Sequence, residues 1–324
     1  MPTQGSKLFL FSGSSHPELA QEVANNLGIK LGRVKLGHFP DGEISVQILE
    51  TVRGSDAFVL QTIARDPNNY LMELLIILDA LKRASVKSIT AVIPYFGYCR
   101  QDRKENLRVP ITAKLVANLL VSAGATRVLT MDLHAGQLQG FFDTPVDDLS
   151  AKPLLVAAFR EMGWRDLVVA APDIGSIKLA RAYANALGVG LAIVDKCRLK
   201  CDDVKTVALI GDVKGKDVLL ADDMCSTAGT LVSAAKACRE KGANRIFAIV
   251  THGLLVGDAI DEIEKSPLEA LLMSNTIPQT DKLAKSAKLK IVSVSSLFGQ
   301  AISCLLSTES ISSLCENAEG VKSR

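Results

Sequence analysis

Residues 218–230 read Val-Leu-Leu-Ala-Asp-Asp-Met-Cys-Ser-Thr-Ala-Gly-Thr: an apolar run suited to a buried strand, two adjacent carboxylates, then a turn of small and hydroxyl-bearing residues. An ionised carboxylate only accepts hydrogen bonds, so Asp222 and Asp223 suit the two donors of neighbouring sugar hydroxyls. Ser226, Thr227, Ala228, Gly229 and Thr230 can aim backbone N–H groups and hydroxyls at a phosphate where the next helix begins. The combination describes a sugar-phosphate cradle. Standing alone, the two acids would read as an acidic strand end before a Ser- or Thr-capped helix.

Three further groups could do chemistry. Arg100, Arg103, Lys104, Arg108 and Lys114 crowd one charged loop beside Tyr95, Phe96 and Tyr98, where rings could stack a purine and guanidinium forks could grip polyphosphate oxygens. Taken by itself this loop also reads as a solvated surface. Lys196 and Arg198 alternate after the run 191–195, so an extended chain puts both cations on one side. Asp132 lies two residues before His134 and on a strand would share its face, giving a carboxylate–imidazole pair.

The elements that must carry these groups alternate between two periods. Apolar runs at 8–12, 57–61, 89–94, 127–131, 167–171, 191–195, 218–221, 246–250 and 290–293 suit buried parallel strands. Stretches 71–84, 112–123, 176–187 and 229–241 have helical spacing and end mostly near Gly, Ser or Asn. This βα alternation predicts an α/β fold of parallel-stranded sheets flanked on both faces by helices.

Internal similarity points to two similar domains. Leu19-Ala20, Ala24-Asn25, Leu27 and Gly28 recur at one constant offset as Leu179-Ala180, Ala184-Asn185, Leu187 and Gly188. At a second, shorter offset Gly124-Ala125, Arg127 and His134 recur as Gly242-Ala243, Arg245 and His252. One duplicated α/β unit accounts for both, with extra residues in the first copy that place the charged loop opposite the second copy's phosphate turn. The alternative is chance likeness between any two βα units. Expected domains are 1–148, 149–305 and a tail at 306–324.

Length and composition agree with that plan. A chain of 324 residues exceeds the usual single core, and 48% hydrophobic with 22% charged residues can fill two. A net charge of +2 leaves no electrostatic footprint for nucleic acid and no polybasic membrane patch. Seven scattered cysteines without a Cys-x-x-Cys pair suit a reduced, cytoplasmic protein, and the N-terminal residues lack a targeting pattern.

The segment Met131-Asp132-Leu133-His134-Ala135-Gly136-Gln137-Leu138-Gln139-Gly140-Phe141-Phe142 closely resembles the signature of the ribose-phosphate pyrophosphokinase (phosphoribosyl pyrophosphate synthetase) family. Phe11-Ser12-Gly13-Ser14, Phe39-Pro40-Asp41-Gly42-Glu43, Arg100-Gln101-Asp102, Ala171-Pro172-Asp173, Lys196-Cys197-Arg198, Asp222-Asp223 and Asn275-Thr276-Ile277-Pro278 fall in family order over essentially the whole chain.

The resemblance implies a phosphoribosyltransferase-like fold and transfer of the β,γ-diphosphoryl group of ATP to the 1-hydroxyl of ribose 5-phosphate, with Mg²⁺ as cofactor. It implies that Asp222 and Asp223 hold the ribose hydroxyls and Ser226 to Thr230 the 5-phosphate. Phe39, Asp41, Gly42 and Glu43, given by a neighbouring subunit, would form the ATP site with Arg100, Gln101 and Asp102. Lys196 and Arg198 become the catalytic cations, Arg198 also touching ribose 5-phosphate, and His134 and Asp173 the metal positions, to which the strand-face pairing with His134 adds Asp132. A homohexamer built from dimers follows, with neither nucleic acid nor membrane as partner.

Two departures stand out, Ser226 where members usually carry Asp, and Ile174-Gly175-Ser176 where they carry Ala-Gly-Gly. Serine can still bond a phosphate or a sugar hydroxyl, whereas Ile174 puts bulk beside Asp173. The alternatives are a catalytically inactive regulatory homologue, which the short, intact Lys-x-Arg segment argues against, and a phosphoribosyltransferase, which the chain length and the Arg-Gln-Asp loop argue against.

Overall fold

Strand-forming runs rich in Val, Leu, Ile and Ala suit burial on both faces, and the computed structural model builds two largely parallel sheets around them. It describes residues 7–197, 206–307, 309–312 and 314.

The first unit takes in residues 7–149, Thr276–Pro278 and a C-terminal helix. Its elements in chain order are β1 (Leu8–Ser12), α1 (Pro17–Asn26), β2 (Val34–His38), β3 (Ile44–Ile48), β4 (Asp56–Leu60), α2 (Pro67–Arg83), β5 (Ser88–Ile93), α3 (Thr112–Ala123), β6 (Arg127–Met131), a 3-10 turn (Gly136–Phe141) and β7 (Val146–Leu149). The five-stranded sheet runs β1-β4-β5-β6-β7, all parallel, and β2 pairs with β3 as a separate antiparallel hairpin.

A buried carboxylate organises the loop after β1. Glu73 of α2 accepts the Ser14 N–H at 2.8 Å, the Ser14 hydroxyl and the Gln61 amide at 2.7 Å, while Gln61 accepts from the Ser15 hydroxyl at 2.6 Å. A Cβ at Gly13 would stand 2.3 Å from Gln61 Oε1, so this motif's glycine is required by close approach.

The second unit comprises α4 (Lys152–Glu161), β8 (Leu167–Ala171), α5 (Ile177–Leu187), β9 (Gly190–Cys197), β10 (Thr206–Ile210), β11 (Asp217–Cys225), α6 (Gly229–Glu240), β12 (Ile246–Gly253), α7 (Ala259–Lys265), β13 (Ala270–Ser274), α8 (Thr280–Leu283) and β14 (Leu289–Val292). Its sheet order is β10-β9-β8-β11-β12-β13-β14, parallel except for the edge strand β10. Strand alternation splits its core. Val218 and Leu220 pack with Leu231, Val232 and Ala235 of α6. Phe247 meets Phe159 of α4 edge-on at 5.4 Å.

Helix α9 (Ser295–Ser307) groups with the first unit and packs on α1, whereas the sequence reading assigns 295–305 to the second domain. Amphipathic spacing shows that a helix has an apolar face, not which core receives it.

The two sheet orders share one pattern in which β1, β4, β5, β6 and β7 correspond to β8, β11, β12, β13 and β14. That pairs α1 with α5, as the first sequence match has it, but displaces the second match by one βα unit, because α3–β6 then corresponds to α7–β13 rather than α6–β12. The counterpart of the turn at 226–230 is therefore the short segment after β4, and the long charged loop after β5 corresponds to the segment after β12. Gly-Ala between a helix and a strand is common punctuation of βα units, so it misleads as a repeat marker.

Candidate active site

The cradle begins inside a strand. β11 runs to Cys225, with Asp222, Met224 and Cys225 opposite Val250, His252 and Gly253 of β12. The expected strand end at Ala221 is therefore four residues short. Cys225 shares a core cluster with Val218 and Leu220, so strict alternation is lost between Leu220 and Cys225, where the ladder passes over Asp223. The Asp223 N–H donates to Asp222 Oδ1 at 3.0 Å. Burial first, then the charges of Asp223 and Asp173, push the Asp222 carboxyl up to about 8.

The turn that follows has an open mouth. Ala228 adopts a left-handed conformation, φ 65°, and α6 starts at Gly229 without a side-chain cap. Thr227 and Gly229 are exposed, and a Cβ added to Gly229 would meet nothing nearer than Thr227 Oγ1 at 3.8 Å. The start of a helix with exposed N–H donors suits an anion. Behind it, Cys225 is buried and its thiol is pushed up to about 12, which makes it inert.

In the same unit, Asp173 follows β8 and is fixed by the departure residue Ser176. Asp173 Oδ1 accepts the Ser176 N–H at 3.0 Å and its hydroxyl at 3.2 Å. Ile174 turns outward, 63% exposed, so its bulk does not press on that carboxylate. The Lys196 backbone lies in β9 opposite Val207, while Arg198 falls outside the described residues.

In the first unit, the hairpin tip carries Phe39, Asp41, Gly42 and Glu43. Phe39 N–H donates to the Glu43 carbonyl at 2.8 Å, Gly42 N–H to the Phe39 carbonyl at 2.9 Å and Glu43 N–H to Asp41 Oδ1 at 3.2 Å. Gly42, φ 94°, makes the reversal, and the Phe39 ring is 55% exposed. After β5, Gln101 Oε1 accepts the Thr112 hydroxyl at 2.5 Å, Asp102 accepts the Gln137 amide at 3.0 Å, and Arg100 is exposed.

Asp132 and His134 follow β6, but not as part of it. Asp132 takes φ 41°, which ends the strand, so the shared-face argument for a carboxylate–imidazole pair does not hold. Its N–H donates to the Leu149 carbonyl at 2.8 Å, and the next N–H, of Leu133, donates to Asp148. Burial, and then the Asp132 charge, push Asp148 up to about 7.

Residues 8–124 match a model of the N-terminal domain of ribose phosphate pyrophosphokinase, and residues 196–316 match a phosphoribosyl synthetase-associated domain. The chain is 50% identical over 305 residues to the ribose-phosphate pyrophosphokinase of Wolinella succinogenes, covering 94% of this chain and 98% of that one. It is 49% identical to that of Clostridium perfringens, covering 98% and 100%. The crystal structure of phosphoribosylpyrophosphate synthetase from Mycobacterium smegmatis superposes with a TM-score of 0.89 at 41% identity, covering 94% of this chain and all of that one. The chain belongs to the ribose-phosphate pyrophosphokinase family.

Within a ribose-phosphate pyrophosphokinase the aromatic residues after β5 are less available than their sequence suggests. Tyr95 and Phe96 are buried, and Phe96 sits edge-on to Phe142 at 5.7 Å. Tyr98 is half-buried and donates to Asn68. These rings close the core behind the loop, which leaves the exposed Phe39 ring as an apolar surface and the exposed Arg100, Arg103, Lys104 and Arg108 as cationic surfaces among the first unit's candidate residues.

Sequence reasoning also overlooks the residues that support these candidate segments. Asp148 holds the segment carrying Asp132 and His134 by the Leu133 N–H, and Glu73 holds the loop after β1 by the Ser14 N–H. Their one signal is an acid beside apolar residues, Asp148 next to Leu149 in β7 and Glu73 among the leucines of α2.

Proposed function

We propose that this chain transfers the β,γ-diphosphoryl group of ATP to the 1-hydroxyl of ribose 5-phosphate, giving phosphoribosyl pyrophosphate and AMP. The observation that carries the assignment of ribose 5-phosphate is the run from Asp222 to Thr230, two carboxylates joined to an uncapped helix start. Asp222 and Asp223 accept the ribose hydroxyls, and the N–H and hydroxyl groups of Ser226 to Thr230, with Ala228 and Gly229 leaving room, receive the 5-phosphate. Phe39, Asp41, Gly42 and Glu43 with Arg100, Gln101 and Asp102 receive ATP, the ring stacking on the base and the guanidinium facing phosphate oxygens.

Lys196 and Arg198 supply positive charge to the group in flight, whose equatorial oxygens carry more charge in the transition state than before it. Asp132 and His134 in the first unit, and Asp173 in the second, are each residues that would take a Mg²⁺ position. Burial first, and then the charges of Asp223 and Asp173, lift Asp222; those neighbouring charges fit a cation or hydroxyl donors in the second unit, and Mg²⁺ keeps much of its shell as water and phosphate oxygen. Bound there, the ion would neutralise phosphate charge and orient the transferred group.

The reading extends to a homo-oligomer, a hexamer built from dimers, in the cytoplasm. No helix among the described residues is long and apolar enough to cross a membrane.

An assay for AMP released from ATP and Mg²⁺ tests the activity. AMP that forms only with ribose 5-phosphate supports it, whereas no AMP, or a requirement for a nucleobase and preformed phosphoribosyl pyrophosphate, rejects it.

A further inference from the structure

The turn at 226–230 is held from behind by a short wall after β12. Leu254 and Leu255 donate their N–H groups to the Cys225 carbonyl at 2.9 and 3.1 Å, and Val256 donates to the Ser226 carbonyl at 2.9 Å. The wall itself is not at ease, since Leu255 adopts φ 48°, a left-handed conformation that leucine rarely takes. Just before it the backbone packs closely, since a Cβ at Gly253 would lie 2.2 Å from Met273 Sδ.

Two side chains at the start of α8 grip this wall. The Lys282 ammonium donates to the Leu254 carbonyl at 3.0 Å and to the Leu255 carbonyl, and the Gln279 amide donates to the Gly253 carbonyl. Gln279 is buried. A charged donor on two successive carbonyls fixes both peptide planes, and those planes carry the N–H groups that reach Cys225 and Ser226. A continuous set of bonds thus runs from Lys282 through 254–256 to the first residue of the turn.

We infer that Lys282, assisted by Gln279, is a positioning residue for the phosphate-binding turn, acting on ribose 5-phosphate affinity without touching the substrate. The inference rests on the assignment of that turn under the proposed function. A misplacement of such a turn by a fraction of an ångström weakens every N–H bond to the phosphate at once.

The structure supplies a matched control. Lys288 also caps carbonyls, donating to those of Ile263, Glu264 and Ser266 at 3.1, 2.8 and 3.1 Å, but at the C-terminal end of α7. K282M and K288M therefore lose bonds of the same kind at different places.

Steady-state kinetics with both substrates, alongside thermal melting, decide the matter. K282M raises the KM for ribose 5-phosphate about tenfold while the KM for ATP stays within about twofold, K282R returns it toward wild type, and K288M lowers the melting point without moving either KM. If K282M does not fold, K282Q, whose amide serves one carbonyl, shows the same selective rise at about threefold. An unchanged KM for ribose 5-phosphate in the folded Lys282 variant, or an equal rise in K288M, overturns the inference and leaves the proposed function standing. Wild-type protein that releases no AMP overturns both.

Discussion

The carboxylate of Asp148 in β7 accepts the Leu133 N–H with both oxygens, at 3.2 and 3.3 Å. That bond, with the Asp132 N–H on the Leu149 carbonyl, ties the reversal at Asp132 to the neighbouring strand and so fixes where His134 leaves the sheet. An amide oxygen can replace a carboxylate as acceptor; a methyl group cannot. D148A therefore destabilises the chain by about 1 to 3 kcal/mol through an orphaned N–H, and D148N costs much less. Urea melts at about pH 6, below the raised value of Asp148, compare the two without a large charge difference.

Asp222 is a residue whose function opposes the stability of the empty chain. Its folded value, about 8, lies above that of the unfolded chain, so its stabilising contribution is fully present below about pH 4 and is lost as pH rises toward 8. D222N removes that loss. Its melting temperature relative to wild type rises between about pH 5 and pH 9, while turnover falls sharply because the sugar loses an acceptor. A stability difference that is flat with pH would show that Asp222 is not held above its ordinary range.

Gly229 tests the cradle from its open side. Nothing in the empty chain needs a glycine there, since φ is ordinary and a Cβ meets only Thr227 Oγ1 at 3.8 Å. G229A leaves melting unchanged or raised by up to about 1 kcal/mol, as Gly→Ala does at compatible positions. The added methyl stands where the phosphate approaches the helix start, so the KM for ribose 5-phosphate rises about tenfold or more.

Removing the charge at Lys196 should act on rate. K196A retains the melting profile of wild type and loses kcat by several powers of ten, on the order of 3 to 6 kcal/mol of barrier. Near-normal turnover in that variant removes Lys196 from the catalytic role.

What the sequence reveals follows from which physical signal each segment carries. β1, β6 and β8 are mostly apolar runs and are legible to the residue, as is α3 with its apolar spacing and closing Gly124. β2 and β3 escape because they form a hairpin outside the main sheet, with Lys35, His38 and Gln47 among their residues. β7 hides behind two acids in four residues, one of which is the buttress Asp148. The candidate cradle is legible because its carboxylates, hydroxyls and glycine are contiguous. Its supports are not, since Lys282 and Gln279 reach residues 225–226 only through the fold. The rings of Tyr95 and Phe96 mislead for the opposite reason: composition suggests an adenine platform where packing makes a core.

Calorimetric titration of ribose 5-phosphate, without ATP, into wild type and into a D222N/D223N double variant puts the cradle to the most direct test. At about pH 9, above the raised value of Asp222, wild-type protein binds, and the double variant, melting at or above the wild-type temperature, binds at least about tenfold more weakly because the sugar hydroxyls lose two charged acceptors. Equal affinity in the two proteins would mean that this acidic pair holds no pentose, and the assignment of residues 222–230 would fall.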